Sequence, residues 1–343
     1  MKTHANTLYV QTQGAYLAKE GETVRVKVEK ETRLTVPLHH LEGIVCFGRI
    51  SCSPGLMAEC AERGMALSFF TEHGRYLYRM VSAISGNVLL RREQYRRADN
   101  PAACLRIARS IVAAKVQNSR LNVLRAARES NAPPESDELQ QAATKMANAL
   151  DTLARAESLD SVRGCEGDAA RNYFDVFNLL IRQQREGFVM SGRTRRPPLD
   201  AVNALLSFGY AILTHEMAGA LESVGLDPAV GFLHVDRPGR LSLALDLLEE
   251  FRPVIADRLA LSLINLKQVH PGGFTTQPGG AVQMDAATRK AFLSGLTQRK
   301  RDVVTHPILN EKVTVGLLPH VQARLLARHL RGDLPDYPAL ILK

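Results

Sequence analysis

Four carboxylates and one imidazole carry the chemistry of this sequence. Glu166 lies in Arg163-Gly164-Cys165-Glu166-Gly167-Asp168-Ala169-Ala170-Arg171-Asn172-Tyr173-Phe174, where helical spacing sets it on one face with Ala170, Tyr173 and Phe177. A carboxylate on a part-apolar face loses hydration, at a cost of several kcal/mol, unless a cation meets it. Gly164 and Gly167 remove side-chain bulk on either side and let another backbone or a ligand approach. His234 closes the apolar run Gly231-Phe232-Leu233. In Leu241 to Pro253 a helix would use Leu241, Leu245 and Leu248 as its core stripe, with Asp246, Glu249 and Glu250 at i, i+3 and i+4. Like charges that close repel unless a cation sits between them or arginines surround them. Taken singly, each feature has a plainer account: a glutamate that meets an arginine, a satisfied loop histidine, a solvated acidic face beside Arg252. Joined, they supply two oxygens and one nitrogen to a divalent ion. Carboxylates favour Mg²⁺ or Mn²⁺, and an imidazole tilts the choice towards Mn²⁺. Other templates are missing. His215-Glu216-Met217-Ala218-Gly219 lacks the second histidine of H-E-x-x-H, and neither a Walker A lysine nor a dinucleotide fingerprint occurs.

These residues need a frame. The first part reads as β: Thr7 to Val10, then Gly14 to Leu17, then Val24, Val26 and Val28 alternating with Arg25, Lys27 and Glu29, then Leu34-Val36-Leu38. Gly43 to Gly48 is a nearly unbroken apolar strand, Ser53-Pro54-Gly55 opens a helix, and Met65 to Phe70 is a second buried strand with a hairpin partner at Gly74 to Leu77. Around Gly86 the period changes to helical. Helices are predicted from about Pro101 to Arg128, from Ser136, from Glu166 (capped by Ser161) to about Glu186, and from Ala201 to Val224 behind an Asp200 cap. Pro271-Gly272-Gly273 and Pro278-Gly279-Gly280 bracket a small hairpin, and two last helices cover Asp285 to Asp302 and Leu317 to Leu330. The expected fold class is α+β: a small N-terminal β-rich domain, residues 1–86, followed by a larger all-α catalytic domain, residues 87–343.

Lys and Arg number 44 against 35 acidic residues, a net charge of +9. That excess points to a polyanion, with nucleic acid ahead of an acidic membrane. Five cysteines (46, 52, 60, 104, 165) include no C-x-x-C pair, which argues against a disulfide framework or zinc ribbon and for a reducing compartment. No apolar signal core follows Met1, and Ala204 to Leu213 is too short to span a bilayer. The expectation is a cytoplasmic protein with no membrane association.

Three stretches in order now resemble one family, the integrase–endonuclease of CRISPR adaptation, Cas1. They are Arg163 to Phe174, then Arg196-Pro197-Pro198-Leu199-Asp200-Ala201-Val202-Asn203-Ala204-Leu205-Leu206-Ser207-Phe208-Gly209-Tyr210, and then Gly231 to His234 through Asp246 to Pro253. The β-rich start and helical remainder also fit, and the length with glutamate at 249 is most similar to the subtype I-C branch. The resemblance implies that Glu166, His234 and Glu249 are the catalytic metal ligands for Mg²⁺ or Mn²⁺, with Asp246 a nearby acidic residue of the same site. Many relatives carry aspartate where Glu249 stands, so which of Asp246, Glu249 and Glu250 contacts the ion most closely stays open. It also implies a homodimer formed through the N-terminal domain, and two dimers flanking a dimer of the small partner Cas2 in a heterohexamer that inserts DNA spacers into the CRISPR array.

The chemistry so implied is attack by a DNA 3′-OH on a phosphodiester, one P–O bond replacing another, with no need for ATP. Arginines would hold the DNA backbone without reading sequence. The first candidates are Arg163 and the loop residues Arg193, Arg195 and Arg196; further clusters are Arg91, Arg92, Arg96 and Arg97, and Arg324, Arg328 and Arg331. Alternative readings are a structure-selective nuclease using water, a non-catalytic DNA scaffold, and a metal-dependent hydrolase of small substrates, which the basic balance disfavours.

Overall fold

The computed structural model describes residues 6–80, 87–130 and 132–342. The period-two stretches form strands β1 (Asn6–Val10), β2 (Tyr16–Glu20), β3 (Thr23–Val28), β4 (Glu31–Pro37), β5 (Leu41–Phe47) and β6 (Ser51–Cys52). Helix α1 (Pro54–Glu62), β7 (Ala66–Phe70) and β8 (Tyr76–Met80) follow. One sheet has the order β1-β5-β7-β8, the other β4-β3-β2-β6. Val24 and Val26 are buried, as their alternation with Arg25 and Lys27 requires. Inner strand β5 runs parallel to β1 and β7, which explains its nearly continuous apolar sequence. Two parallel neighbours need a crossover, and α1 provides it. Ser53 caps that helix by accepting the Leu56 N–H at 3.1 Å, with Pro54 in its first turn. Leu17, Ile44, Leu56, Cys60 and Leu67, drawn from both sheets and α1, share one core.

The helical part comprises α2 (Val88–Ala98), α3 (Pro101–Glu129), α4 (Pro133–Ala154), α5 (Leu159–Asp175), α6 (Ala201–Ser223), α7 (Ser242–Phe251) and α8 (Arg258–Asn265). A π-helical turn, Arg252–Asp257, joins α7 to α8. Pro253 has no N–H to give and its ring crowds the preceding turn of an α-helix, so the widened turn accommodates it. The hairpin β9 (Phe274–Thr276) and β10 (Val282–Met284) has Pro278 to Gly280 in its connection. Helix α9 (Ala286–Arg301), a second hairpin of β11 (Val303–Thr305) and β12 (Lys312–Thr314), and α10 (Leu318–Leu330) complete the order.

Two compact units result. One is Met1–Gly86 with Leu293–Thr305 and Lys312–Pro319; the other is Asn87–Phe292 with His306–Glu311 and His320–Lys343. Leu293–Thr305 and Lys312–Pro319, which a single boundary at 86/87 places in the helical domain, group here with the β-rich unit. Their strands are three residues long and carry no legible period. The change of period expected at Gly86 lies outside the described residues. No helix among the described residues is long and apolar enough to cross a membrane.

Candidate metal centre

Glu166 sits in the middle of α5. The sequence reading opened this helix at Glu166 and capped it with Ser161; instead Ser158 caps it, accepting the Ser161 N–H at 3.1 Å, and the helix ends at Asp175. Of the residues expected on its face, Ala170 is half-buried and Tyr173 buried in the same helix, while Phe177 falls beyond it in a 3-10 turn, Phe177–Leu180. A Cβ added to Gly164 or Gly167 would meet no atom of the chain within 4 Å, so both flanks of Glu166 are open.

His234 is set by its loop. Asp246, wholly buried on α7, accepts the backbone N–H groups of Phe232 (2.6 Å), Leu233 (3.0 Å) and His234 (2.9 Å), and lies 2.7 Å from His234 Nδ1. A Cβ on Gly231 would stand 2.8 Å from Asp246 Oδ2 and 2.9 Å from Ser242 Cβ, so only glycine lets the loop pass this close. With Nδ1–H donating its hydrogen bond to the carboxylate, Nε2 keeps its lone pair for a ligand. Arg163 clamps the same loop, donating from Nε (3.2 Å) and Nη2 (2.8 Å) to the Leu233 carbonyl and from Nη1 to Asp160 (2.9 Å).

Both residues hold partners within the chain that the sequence did not show. Asp246 spends its two oxygens on four donors and positions the histidine, where the resemblance made it a candidate for the metal. Arg163 is committed within the chain, where it had been a candidate for DNA.

Glu249 faces Glu166 across a cation. Lys115, on α3, ion-pairs through Nζ with Glu166 Oε1 and lies 2.7 Å from Glu249 Oε2. Glu249 Oε2 is buried, and the Lys115 ammonium is the cation that meets it. Glu249 Oε1 is 3.9 Å from His234 Nε2 and 3.2 Å from an Arg252 nitrogen. Burial works to raise the Glu249 carboxyl, but Arg252, Lys115 and His234 outweigh it and hold the group at about 2.

Glu250, four residues after Asp246, turns elsewhere. It accepts from Tyr337 (2.6 Å), the Leu340 N–H (2.6 Å) and Gln322 (2.9 Å), anchoring the C-terminal segment. Of the three acids at i, i+3 and i+4, only Glu249 thus faces Glu166. Burial raises the Glu250 carboxyl to about 7 from an ordinary 4.5 despite those donors. A group raised on folding contributes stability in full below its unfolded value, and that stability is lost as pH rises through the folded value. Glu250→Gln should therefore gain stability relative to the native chain between about pH 5 and about pH 8. Thermal unfolding of the metal-free proteins across this window checks it; a constant gap would contradict it.

The arginine loop divides. Arg193 turns inward: it donates to Asn203 Oδ1 (2.5 Å), to the Thr194 carbonyl and to Ser207 (3.3 Å), and stacks 5.3 Å from the Tyr210 ring centroid. Arg252 lies over the same ring at 4.6 Å. Arg195 and Arg196 are exposed, and Arg195 lines a cleft with Glu166, Lys115, Tyr173 and Arg252. Beneath that cleft Asp257 accepts from Tyr210 (2.6 Å) and Tyr173 (3.1 Å); burial lifts its carboxyl to about 6 against these donors. Arg96 and Arg97 pair with Glu93, Arg331 pairs with Asp333, and Arg92, Arg324 and Arg328 are exposed.

As placed, the described residues contain no group of three His, Cys, Asp or Glu side chains close enough to hold one ion. Glu166, Glu249 and His234 converge around Lys115 and Arg252 instead. The donor set nevertheless fits a divalent cation: two carboxylates drawn towards one positive charge, and an imidazole whose other nitrogen is fixed. Sequence reasoning missed Lys115, Arg252 as a partner of Glu249, and the Asp257 pair of tyrosines. A lone lysine in a long amphipathic helix carries no local signal.

A β-rich unit and a helical unit bearing paired carboxylates and a carboxylate-held histidine define a class of proteins suited to divalent-ion chemistry. The chain matches the family of the CRISPR associated protein Cas1 over residues 8–298. It is 49% identical over 341 residues to a CRISPR-associated endonuclease Cas1 of Chlorobaculum tepidum, covering 99% of each chain. It is 46% identical to another of Moorella thermoacetica, covering 97% of each. Among solved structures, a Cas1 protein from Thermotoga maritima superposes with a TM-score of 0.81 at 24% identity, over 95% of this chain and 97% of that one. A casposase bound to its integration product gives 0.82 at 22% identity, over 98% and 94%. This chain belongs to the Cas1 family.

Proposed function

We propose that this chain is the integrase–endonuclease of CRISPR adaptation, joining the 3′-OH of short DNA to a phosphodiester of the array. One observation carries the reading: Glu166 and Glu249, from different helices, converge on a single cation beside His234 Nε2. Glu166, Glu249 and His234 would hold a divalent ion, Mg²⁺ or Mn²⁺, and the imidazole favours Mn²⁺. Bound there, such an ion lowers the pKa of the attacking hydroxyl and neutralises charge building on phosphorus.

The residues of the chain do the rest. Asp246 fixes the tautomer and direction of His234. Arg252, held over Tyr210, keeps Glu249 ionised. Arg195 and Arg196 offer exposed guanidinium groups for phosphates, while Arg193 is bonded inward to Asn203. The attacking hydroxyl gives its proton to solvent as its oxygen bonds phosphorus, and the target strand's own 3′ oxygen leaves and takes up a proton from solvent. The energy of the broken bond passes into the new one.

DNA and Cas2 are the proposed partners. A Cas6-RT-Cas1–Cas2 complex has a chain that shares this fold with a TM-score of 0.81, and the relatives are named endonucleases. A homodimer through the β-rich unit, the heterohexamer with Cas2, a cytoplasmic location and the subtype I-C branch belong to the same proposal. The branch is supported by glutamate at 249. The test is a donor DNA ending in a dideoxy or phosphate group. Joined product should vanish while metal and DNA binding persist; joined product from a blocked donor would contradict 3′-OH attack. Cutting without any joining, given Cas2 and an intact donor, would favour a nuclease that uses water.

A further inference from the structure

Lys115 stands where the two metal-ligating carboxylates meet. Its side chain is 12% exposed, and it rises from α3 next to the buried Ala114 and Val116. Its ammonium touches Glu166 Oε1 and lies 2.7 Å from Glu249 Oε2, while His234 and Arg252 face the other Glu249 oxygen. The geometry points to a built-in competitor. We propose that Lys115 is a positioning residue that holds Glu166 and Glu249 together while no metal is bound, and must release them when a divalent cation takes their oxygens.

The physical argument is one of charge. Two carboxylates from separate helices repel across a partly desolvated cleft, and that repulsion grows as the local dielectric falls. One ammonium offsets it, so α5 and α7 keep their spacing before metal arrives. A divalent ion needs the same oxygens, and two cations crowding one pair of carboxylates repel each other. Metal binding is therefore an exchange that costs the lysine pair. Lys115 keeps the empty site assembled and weakens its affinity for metal.

This inference rests on the metal reading of the site, and the experiment separates the two. Mn²⁺ binding to the full chain is titrated by the loss of the free-ion paramagnetic resonance signal, for the native protein, Lys115→Met, Lys115→Gln, Lys115→Arg and Glu166→Ala. Thermal unfolding is followed with and without Mn²⁺. Lys115→Met and Lys115→Gln should bind Mn²⁺ about tenfold or more tightly, the least expected when a competing charge at ion-pair distance is removed. They should also melt lower without metal and regain stability with it. Lys115→Arg keeps the competing charge and should bind no more tightly than the native chain.

Equal or weaker Mn²⁺ binding by the two uncharged variants would overturn the proposal. A charge-free variant that is unfolded alone but folds on adding Mn²⁺ would support it; one that Mn²⁺ does not rescue would count against it. If the native chain and Glu166→Ala bind Mn²⁺ alike, the metal reading itself fails, and the competitor role with it.

Discussion

Glu166→Ala is expected to remove DNA strand transfer and cleavage by on the order of 10³-fold or more, because it deletes a ligand whose charge supports the reacting oxygens. The fold should survive. Glu166 is partly exposed in mid-helix, alanine is the better helix former, and Lys115 retains Glu249 as a partner. Melting within about 1 kcal/mol of the native chain, with activity lost, is therefore the expected pair of results. Rates are compared at matched Mn²⁺; native rates in the variant would remove Glu166 from the site.

Asp246→Asn should act differently and almost as strongly. The carboxylate accepts three loop N–H groups and the His234 ring, and an amide has one oxygen to offer them. Stability should fall by about 3 kcal/mol, since breaking a buried charged network leaves donors unpaired. Metal affinity should fall by about 10–100-fold as His234 loses its orientation and tautomer. The two effects together distinguish a residue that positions a ligand from one that is a ligand. Unchanged melting, or loss of activity without loss of metal affinity, would contradict the assignment.

The strands were legible wherever alternation ran for several residues, as in Val24-Arg25-Val26-Lys27-Val28. They were not legible at β6, β11 and β12, where two or three residues offer no period. Helix ends failed where caps competed. Ser158 and Ser161 both suit a cap, and only packing decides that the helix begins at Leu159. At the site, residue types showed that acids gather near position 249, but not which way each turns. A helix sets the angles of Asp246, Glu249 and Glu250; the partners at those angles come from remote segments, the Phe232–His234 loop for one and Tyr337 with Leu340 for another. Arg193 shows the same limit. Charge and a proline-bounded loop mark it as a phosphate contact, yet Asn203, Ser207 and the Tyr210 ring take it inward.

The central claim is that Glu166, Glu249 and His234 hold one divalent ion that serves phosphodiester chemistry. Anomalous diffraction from crystals of the full chain grown with Mn²⁺ tests this most directly. The expected result is a single strong manganese peak bounded by a carboxylate oxygen of Glu166, one of Glu249 and His234 Nε2, with Asp246 still on the loop N–H groups. A peak ligated by Asp246 or Glu250 in place of Glu249, or no peak near Glu166 at saturating Mn²⁺, would contradict it.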